Sequence, residues 1–311
     1  MKIIFLLSLT LLFSTTLQAE EEVAKENSAA NLLSLGQSGG SIPIVIDADE
    51  SVVCDEATNS CVATGNARAQ RGTFVVNGTK LTVYFKGSGH DREIKELMAD
   101  GNVSLVNPTE AAYGDHAHYD VALDRVILTG GDLKLVTPDQ LITARDSLEF
   151  WQIKHQGIAR GDAVAHFPKK EQVVEADTLI AYFVPKEERE KNTKNKEDSA
   201  KDKMSLKKIE AEGNVLVSTP KEIASGDRGV YNAAADMSEL FGNVKITQGG
   251  NHIRGEYAIM NMKTNVAQLF AKNPNDPVSD QKPKRIRGII MPKDAKNMRK
   301  ADETKKSSEA L

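Results

Sequence analysis

Aromatic side chains are scarce in this sequence, at 5% of 311 residues with a single tryptophan. A chain of that length still buries a sizeable core, so the core must be mostly aliphatic. A large charge of one sign is also missing: the formal net charge of −4 argues against a nucleic-acid partner. After the N-terminal segment, no apolar run approaches the roughly 20 residues that a membrane-spanning helix needs. Only two cysteines occur, Cys54 and Cys61, separated by Asp55 to Ser60. That spacing excludes a Cys-x-x-Cys redox motif, and no histidine lies near enough to complete a zinc site. No Gly-x-Ser-x-Gly, phosphate loop or histidine-centred triad can be assembled. The sequence therefore points away from an enzyme, with no catalytic residue, cofactor or metal expected.

What is present begins with an export signal. Lys2, the apolar run Ile3 to Phe13, and Ser14 to Ala19 give a basic start, an apolar centre and a small residue at the break. Residues 1–19 thus read as a cleavable secretory signal peptide, the alternative being an uncleaved anchor. Export agrees with a structural disulfide between Cys54 and Cys61, which would contribute about 2–3 kcal/mol on chain-entropy grounds. Two free thiols are the other reading. Residues 20–41 are acidic, then Gly/Ser-rich, and are expected to form a disordered leader.

From Ile42 the apolar spacing is two, the signature of strands. Gly-Asn and Gly-Asp steps recur at Gly65-Asn66, Gly101-Asn102, Gly131-Asp132, Gly161-Asp162, Gly213-Asn214 and Gly242-Asn243, at intervals of 36, 30, 30, 52 and 29 residues by subtraction. The long interval holds a charged insertion, 186–205, without which the period is again close to 30. The steps suit the positive φ of tight hairpin turns, so each is expected to open a strand. An acidic residue followed four later by a large side chain recurs about halfway: Asp115 with Tyr119, Asp146 with Phe150, Asp227 with Tyr231 and Glu256 with Met260. Lys80 and Tyr84 hold those places in the first unit. Such carboxylates are expected to bind backbone N–H groups at turns. The repeat predicts an all-β domain over 42–271, with roughly 12–16 antiparallel strands folded as a sandwich, jelly roll or solenoid. Residues 272–311 form a basic tail with one expected edge strand at 285–290.

Each glycine step is followed by apolar residues at the first and third positions: Ala67 and Ala69, Val103 and Leu105, Leu133 and Leu135, Ala163 and Ala165, Val215 and Val217, Val244 and Ile246. Strand alternation puts each pair on one face. Leu148 and Phe150 join that face. The alanines are expected to leave room there, so the face reads either as ordinary core or as a groove admitting acyl chains, which gain about 0.8 kcal/mol per buried CH₂. His116 and His118 share the opposite face, where solvation is expected rather than metal binding.

Ala99-Asp100-Gly101-Asn102-Val103, Gly114-Asp115 with Tyr119, Leu128 to Asp132, and Ala211-Glu212-Gly213-Asn214-Val215 resemble the OstA-like repeat of the LptA family of periplasmic lipopolysaccharide-transport proteins. Ile46-Asp47-Ala48-Asp49 and Arg285-Ile286-Arg287-Gly288 fit the family's ends. The resemblance implies an extended open β-jellyroll whose inner face carries the acyl chains of lipid A. It also implies head-to-tail assembly through edge strands, with LptC-like inner-membrane and LptD-like outer-membrane partners. The inner-face residues above would then be the lipid-binding ones. A β-repeat envelope scaffold or adhesin with a dry core is the competing reading, and a jelly-roll metalloenzyme using His116 and His118 the third.

Overall fold

A computed structural model of the protein describes residues 43–87, 92–185, 206–264, 266–274 and 285–291. The signal peptide and leader, the charged insertion, and most of the basic tail lie outside these residues. The chain opens with β1 (Val45–Asp47) and β2 (Ser51–Asp55), then runs through β3 (Ser60–Arg71), β4 (Phe74–Lys86), β5 (Glu93–Val106) and β6 (Ala111–Asp120). Four short strands make the middle: β7 (Arg125–Thr129), β8 (Lys134–Val136), β9 (Leu141–Thr143) and β10 (Ser147–Trp151). The second half holds β11 (Gln156–Phe167), β12 (Gln172–Phe183), β13 (Leu206–Ser218), β14 (Glu222–Asn232), β15 (Met237–Gln248) and β16 (Asn251–Asn261). It ends on β17 (Val266–Phe270) and β18 (Arg287–Ile289). The only other regular element among the described residues is a single 3-10 turn at Pro168–Lys170.

All eighteen strands belong to one antiparallel sheet. They follow one another as a meander. β1 and β2 both pair with β3, β7 and β8 with β6, β9 and β10 with β11, and β17 and β18 with β16. Those four couples are therefore single lines of chain, each broken in the middle, and the fold has fourteen lines.

Of the glycine steps only Gly131-Asp132 falls in such a break, between β7 and β8; the others lie inside unbroken strands. They are not the hairpin turns expected from their composition. Gly101-Asn102 lies inside β5, and the β5–β6 register jumps there from Asp100↔His116 to Val103↔Gly114, so two residues face one. The same jump occurs at Gly65-Asn66, Gly161-Asp162, Gly213-Asn214 and Gly242-Asn243. This is a β-bulge, which bends the strand and increases its twist. Both residues of the step have positive φ, 76° and 49° at Gly101 and Asn102, which explains why glycine and Asn or Asp are selected. Gly114-Asp115 likewise sits within β6 and opens nothing.

The hairpin turns are carried by other residues. In Asn107-Pro108-Thr109-Glu110, the Asn107 side-chain oxygen accepts from the backbone N–H groups of Thr109 and Glu110 at 2.9 and 2.8 Å. Thr137 and Thr219 lead matching turns, their hydroxyls accepting from Gln140 N and Glu222 N, each at 3.1 Å. These are Asx and ST turns with proline pre-setting the second position. At the other end of the sheet, the Tyr119 hydroxyl donates to Asp124 and the Tyr231 hydroxyl to Asp236, each at 2.9 Å.

A crease running across all fourteen lines divides the sheet into two leaves. One leaf holds β1, β8, β9 and β18 with the portions of the long strands that pair to them, and the other holds β2, β7, β10 and β17 with theirs. Side chains of both leaves form one apolar cluster. Cys54 and Cys61 are directly opposed across β2 and β3 and are joined by a disulfide. It staples an outermost strand whose five residues are all exposed. Replacing both cysteines by serine is expected to lower stability by about 2 kcal/mol, read as a shifted denaturation midpoint and as faster amide exchange in β2.

Candidate functional site

The candidate site is the apolar inner face between the leaves, and the crease determines how it is built. In each Gly-Asx line the first apolar residue after the step lies against the crease. Ala67, Val103, Leu133, Ala163, Val215 and Val244 are all 0–2% exposed. The third residue lies one pleat farther out. There Ala69 and Leu105 are still closed over, Ala165 and Ile246 are 7% exposed, and Leu135 and Val217 are only partly covered. Leu148 is buried and Phe150 is half-buried on the facing leaf. Every predicted inner-face residue therefore points into the one shared interior. The interior is closed next to the glycine steps and only partly covered one pleat out at Leu135 of β8 and Val217 of β13, which form its mouth.

The alanines differ from expectation. Expected to leave room, Ala67, Ala69 and Ala163 are instead fully buried. A small side chain near a crease lets the two leaves approach, so the space closes instead of opening.

The recurring carboxylates hold the crease. The Asp115 carboxylate accepts from Gly131 N at 2.7 Å, and Asp227 accepts from the Asn243 amide at 2.9 Å. Asp49 holds Asn66 at 2.7 Å, and Asp177 holds Asn214 through both oxygens at 3.1 Å. Each acid lies on the line next to a Gly-Asx bulge, so acid lines and glycine lines alternate. Asp49, Asp115, Asp177 and Asp227 thus hold Gly-Asx steps, not turns, whereas Asp146 accepts from Arg145 at 2.8 and 3.1 Å instead. In the first unit the acid's place is taken by Thr79, whose hydroxyl donates to Gly101 O at 3.2 Å, and Val83 four residues on is buried. Lys80 and Tyr84 are one residue out of phase. Asp177 and the Asn/Thr-Pro turns were missed by sequence reasoning, although both repeat in the chain.

The outer face is polar. His116 Nδ1 lies 2.8 Å from Asp100, and His118 Nε2 lies 3.5 Å from Glu96. Among the described residues no three potential metal ligands cluster. Glu149 bridges the Arg160 guanidinium at 2.7 Å and the Trp151 indole N–H at 2.9 Å. Glu210 accepts from Lys208, Tyr182 and Arg228 at 2.9, 2.9 and 3.2 Å. Burial raises the Glu149 pKa, but the hydrogen bonds from Arg160 and Trp151 outweigh it and the carboxyl ends below its ordinary value. Glu210 is lowered first by its bond from Lys208. A carboxylate depressed in the folded state stabilises above its unfolded pKa, and that stability is lost as pH falls through the folded one. Unfolding midpoints should therefore drop below about pH 4.5, and E149Q with E210Q should flatten that acid limb. Burial and Asp124 raise the Tyr119 hydroxyl, and burial and Glu239, at 2.6 Å, raise that of Tyr257. Both phenols remain neutral donors.

Comparison with known proteins bears on this face. The family described as "LptA/(LptD N-terminal domain) LPS transport protein" matches the chain twice, over residues 45–146 and 142–266. Curated protein sequences gave no match. Among solved structures, LptH from Pseudomonas aeruginosa, described as the LptA-homologous periplasmic component of the lipopolysaccharide transport device, aligns over 81% of this chain and 96% of its own at 12% identity. Its TM-score of 0.20 is too low to carry any conclusion.

Proposed function

Because the chain belongs to the LptA/(LptD N-terminal domain) LPS transport protein family, we propose that it is a periplasmic lipopolysaccharide-binding bridge between the inner and outer membranes. Its inner face holds lipid A acyl chains while the sugars remain in water. The observation that carries this reading is the single apolar interior shared by all fourteen lines, fully buried at Val103, Val215 and Val244 and only partly covered at Leu135 and Val217. Alkyl chains need an uninterrupted apolar surface, since each CH₂ removed from water contributes about 0.8 kcal/mol. The N-terminal export signal fits a periplasmic place of work, and the outer sides of β1–β2 and β17–β18, unpaired among the described residues, suit strand addition by LptC-like and LptD-like partners.

A photo-crosslinking residue at Leu135 or Val217 should capture lipopolysaccharide in cells, whereas one at the outward-facing Lys134 should not. Capture from Lys134 alone, or unchanged outer-membrane lipopolysaccharide after depletion, would favour a dry scaffold instead.

A further inference from the structure

The last line of the sheet is broken in the same place as an internal one, and the two breaks are closed differently. In the β6–β8 register Tyr113 faces Lys134, and in the β16–β18 register Arg254 faces Arg287. In the other leaf Ala117 faces Leu128, and Ala258 faces Leu269. Gly114-Asp115 of β6 therefore corresponds to Gly255-Glu256 of β16. Each pair lies opposite a break, between β7 and β8 or between β17 and β18.

The internal break is sealed. Gly131 donates its N–H to Asp115 at 2.7 Å, and Leu133 turns inward and is 2% exposed. Its Cδ2 lies 2.8 Å from where a Cβ on Gly114 would stand. In the last line the residue before Arg287, as Leu133 is before Lys134, is Ile286. Ile286 is 48% exposed. The place of Asp132 is taken by Arg285, and no Gly-Asx step occurs between Phe270 and Arg287. The plug of the internal break is thus missing here, and a cation stands in place of an acid.

A cleft lies at this end, with an apolar floor and a cationic rim. Val244, 1% exposed, and Gly255 line it, together with Lys245, Arg254, Arg285 and Glu256. Lys245, Arg254 and Arg287 are directly opposed across β15, β16 and β18. Like charges so placed repel. By contrast, Arg160 is held by Glu149, Lys208 and Arg228 share Glu210, and Arg125 and Lys154 lie over the Trp151 ring. Among the described residues, Lys245, Arg254, Arg285 and Arg287 have no ion pair or ring contact of that kind. Four cations therefore crowd one opening against the carboxylate of Glu256. Neighbouring strands are about 4.8 Å apart, so adjacent Lys and Arg side chains can reach the same small anion.

We infer that this opening binds the phosphate of a lipid headgroup, with the rim cations on the phosphate and the attached chains on the apolar interior behind it. This rests on the lipid reading proposed above and adds where the headgroup is held. Phosphate suits the rim because its oxygens accept charge-assisted hydrogen bonds from several cations at once, and arginine can donate two in parallel. A bound anion also relieves the repulsion along the Lys245-Arg254-Arg287 row. A lipid suits the floor better than a free anion does, since Val244 and the bared Ile286 offer only hydrocarbon.

The test titrates the full chain with lipid A carrying its phosphates, with the same lipid stripped of them, and with inorganic phosphate alone. Phosphorylated lipid A should bind about tenfold tighter than the stripped form, the worth of one hydrogen bond to a charged group. K245Q/R254Q should bind both lipids as the wild type binds the stripped one, while K245R/R254K should keep the preference. Lys245 and Arg254 are exposed, so the circular-dichroism melts of these variants should match that of the wild type. The preference should also shrink between about 0.15 and 1 M salt, where the screening length falls from about 8 to 3 Å. A preference that survives K245Q/R254Q would overturn the inference. Inorganic phosphate binding as tightly as phosphorylated lipid A would assign the rim to a free anion and overturn it too. Binding of neither lipid would sink the lipid reading together with this site, whereas equal binding of both sinks the headgroup site alone.

Discussion

Glutamate at Val217 is expected to reduce co-purifying lipopolysaccharide at least tenfold while leaving the thermal midpoint within a few degrees. Val217 is half-buried at the mouth, where a carboxylate can turn into water in the empty protein. With an acyl chain in place the same carboxylate would be enclosed by hydrocarbon without a partner. Stranding a charge in that way costs several kcal/mol, and about 1.4 kcal/mol already corresponds to tenfold in affinity. The contrast is Val215, two residues nearer the crease and 1% exposed. Glutamate there has no route to water and should prevent folding. Mass spectrometry of bound lipid together with circular-dichroism melts separates the two cases. A V217E protein that retains wild-type lipid would show that acyl chains do not cross this part of the face.

Alanine at Gly213 should lower stability by about 2–4 kcal/mol, or about 5–15 °C in the midpoint. Gly213 has φ 75°, and a Cβ built there overlaps the Asp177 carboxylate that holds Asn214. Two costs combine: a left-handed backbone for a non-glycine residue and loss of the clasp across the crease. Gly249 separates them, because its φ is also positive, at 60°, but nothing lies within 4 Å of an added Cβ. G249A should therefore pay only the backbone cost, about 1 kcal/mol. Adding D177A to G213A should return part of the loss, since the two substitutions act on one contact. Equal effects of G213A and G249A would mean that the clasp contributes nothing.

The inner face was legible because period-two alternation is strict: Val103, Leu133 and Val244 must share a face if they begin equivalent strands. The lines themselves were harder to read. Gly-Asn carries the same positive-φ preference in a hairpin turn and in a bulge, and composition does not say which. The resolving signal was Asn107-Pro108, Thr137-Pro138 and Thr219-Pro220, whose prolines mark the true turns and leave the glycines to the middle of the lines. The alanines misled for a different reason. A small residue leaves a void only if the backbones around it stay apart, and at a crease they do not. The tandem duplication was hidden because Asp47-Ala48-Asp49-Glu50 and Thr143-Ala144-Arg145-Asp146 share few identities, although they occupy the same place in successive units.

The alternation of acid lines with glycine lines also limits how such a protein changes length. Removing a single line would set two acids, or two bulges, beside one another and leave the neighbouring crease without its clasp. Growth and shrinkage must therefore proceed by whole pairs of about thirty residues, while extra chain is harmless only where it leaves at the end of a line, as between Phe183 and Leu206. The length of the sheet is thus set in discrete steps, each worth two strand spacings or about 10 Å.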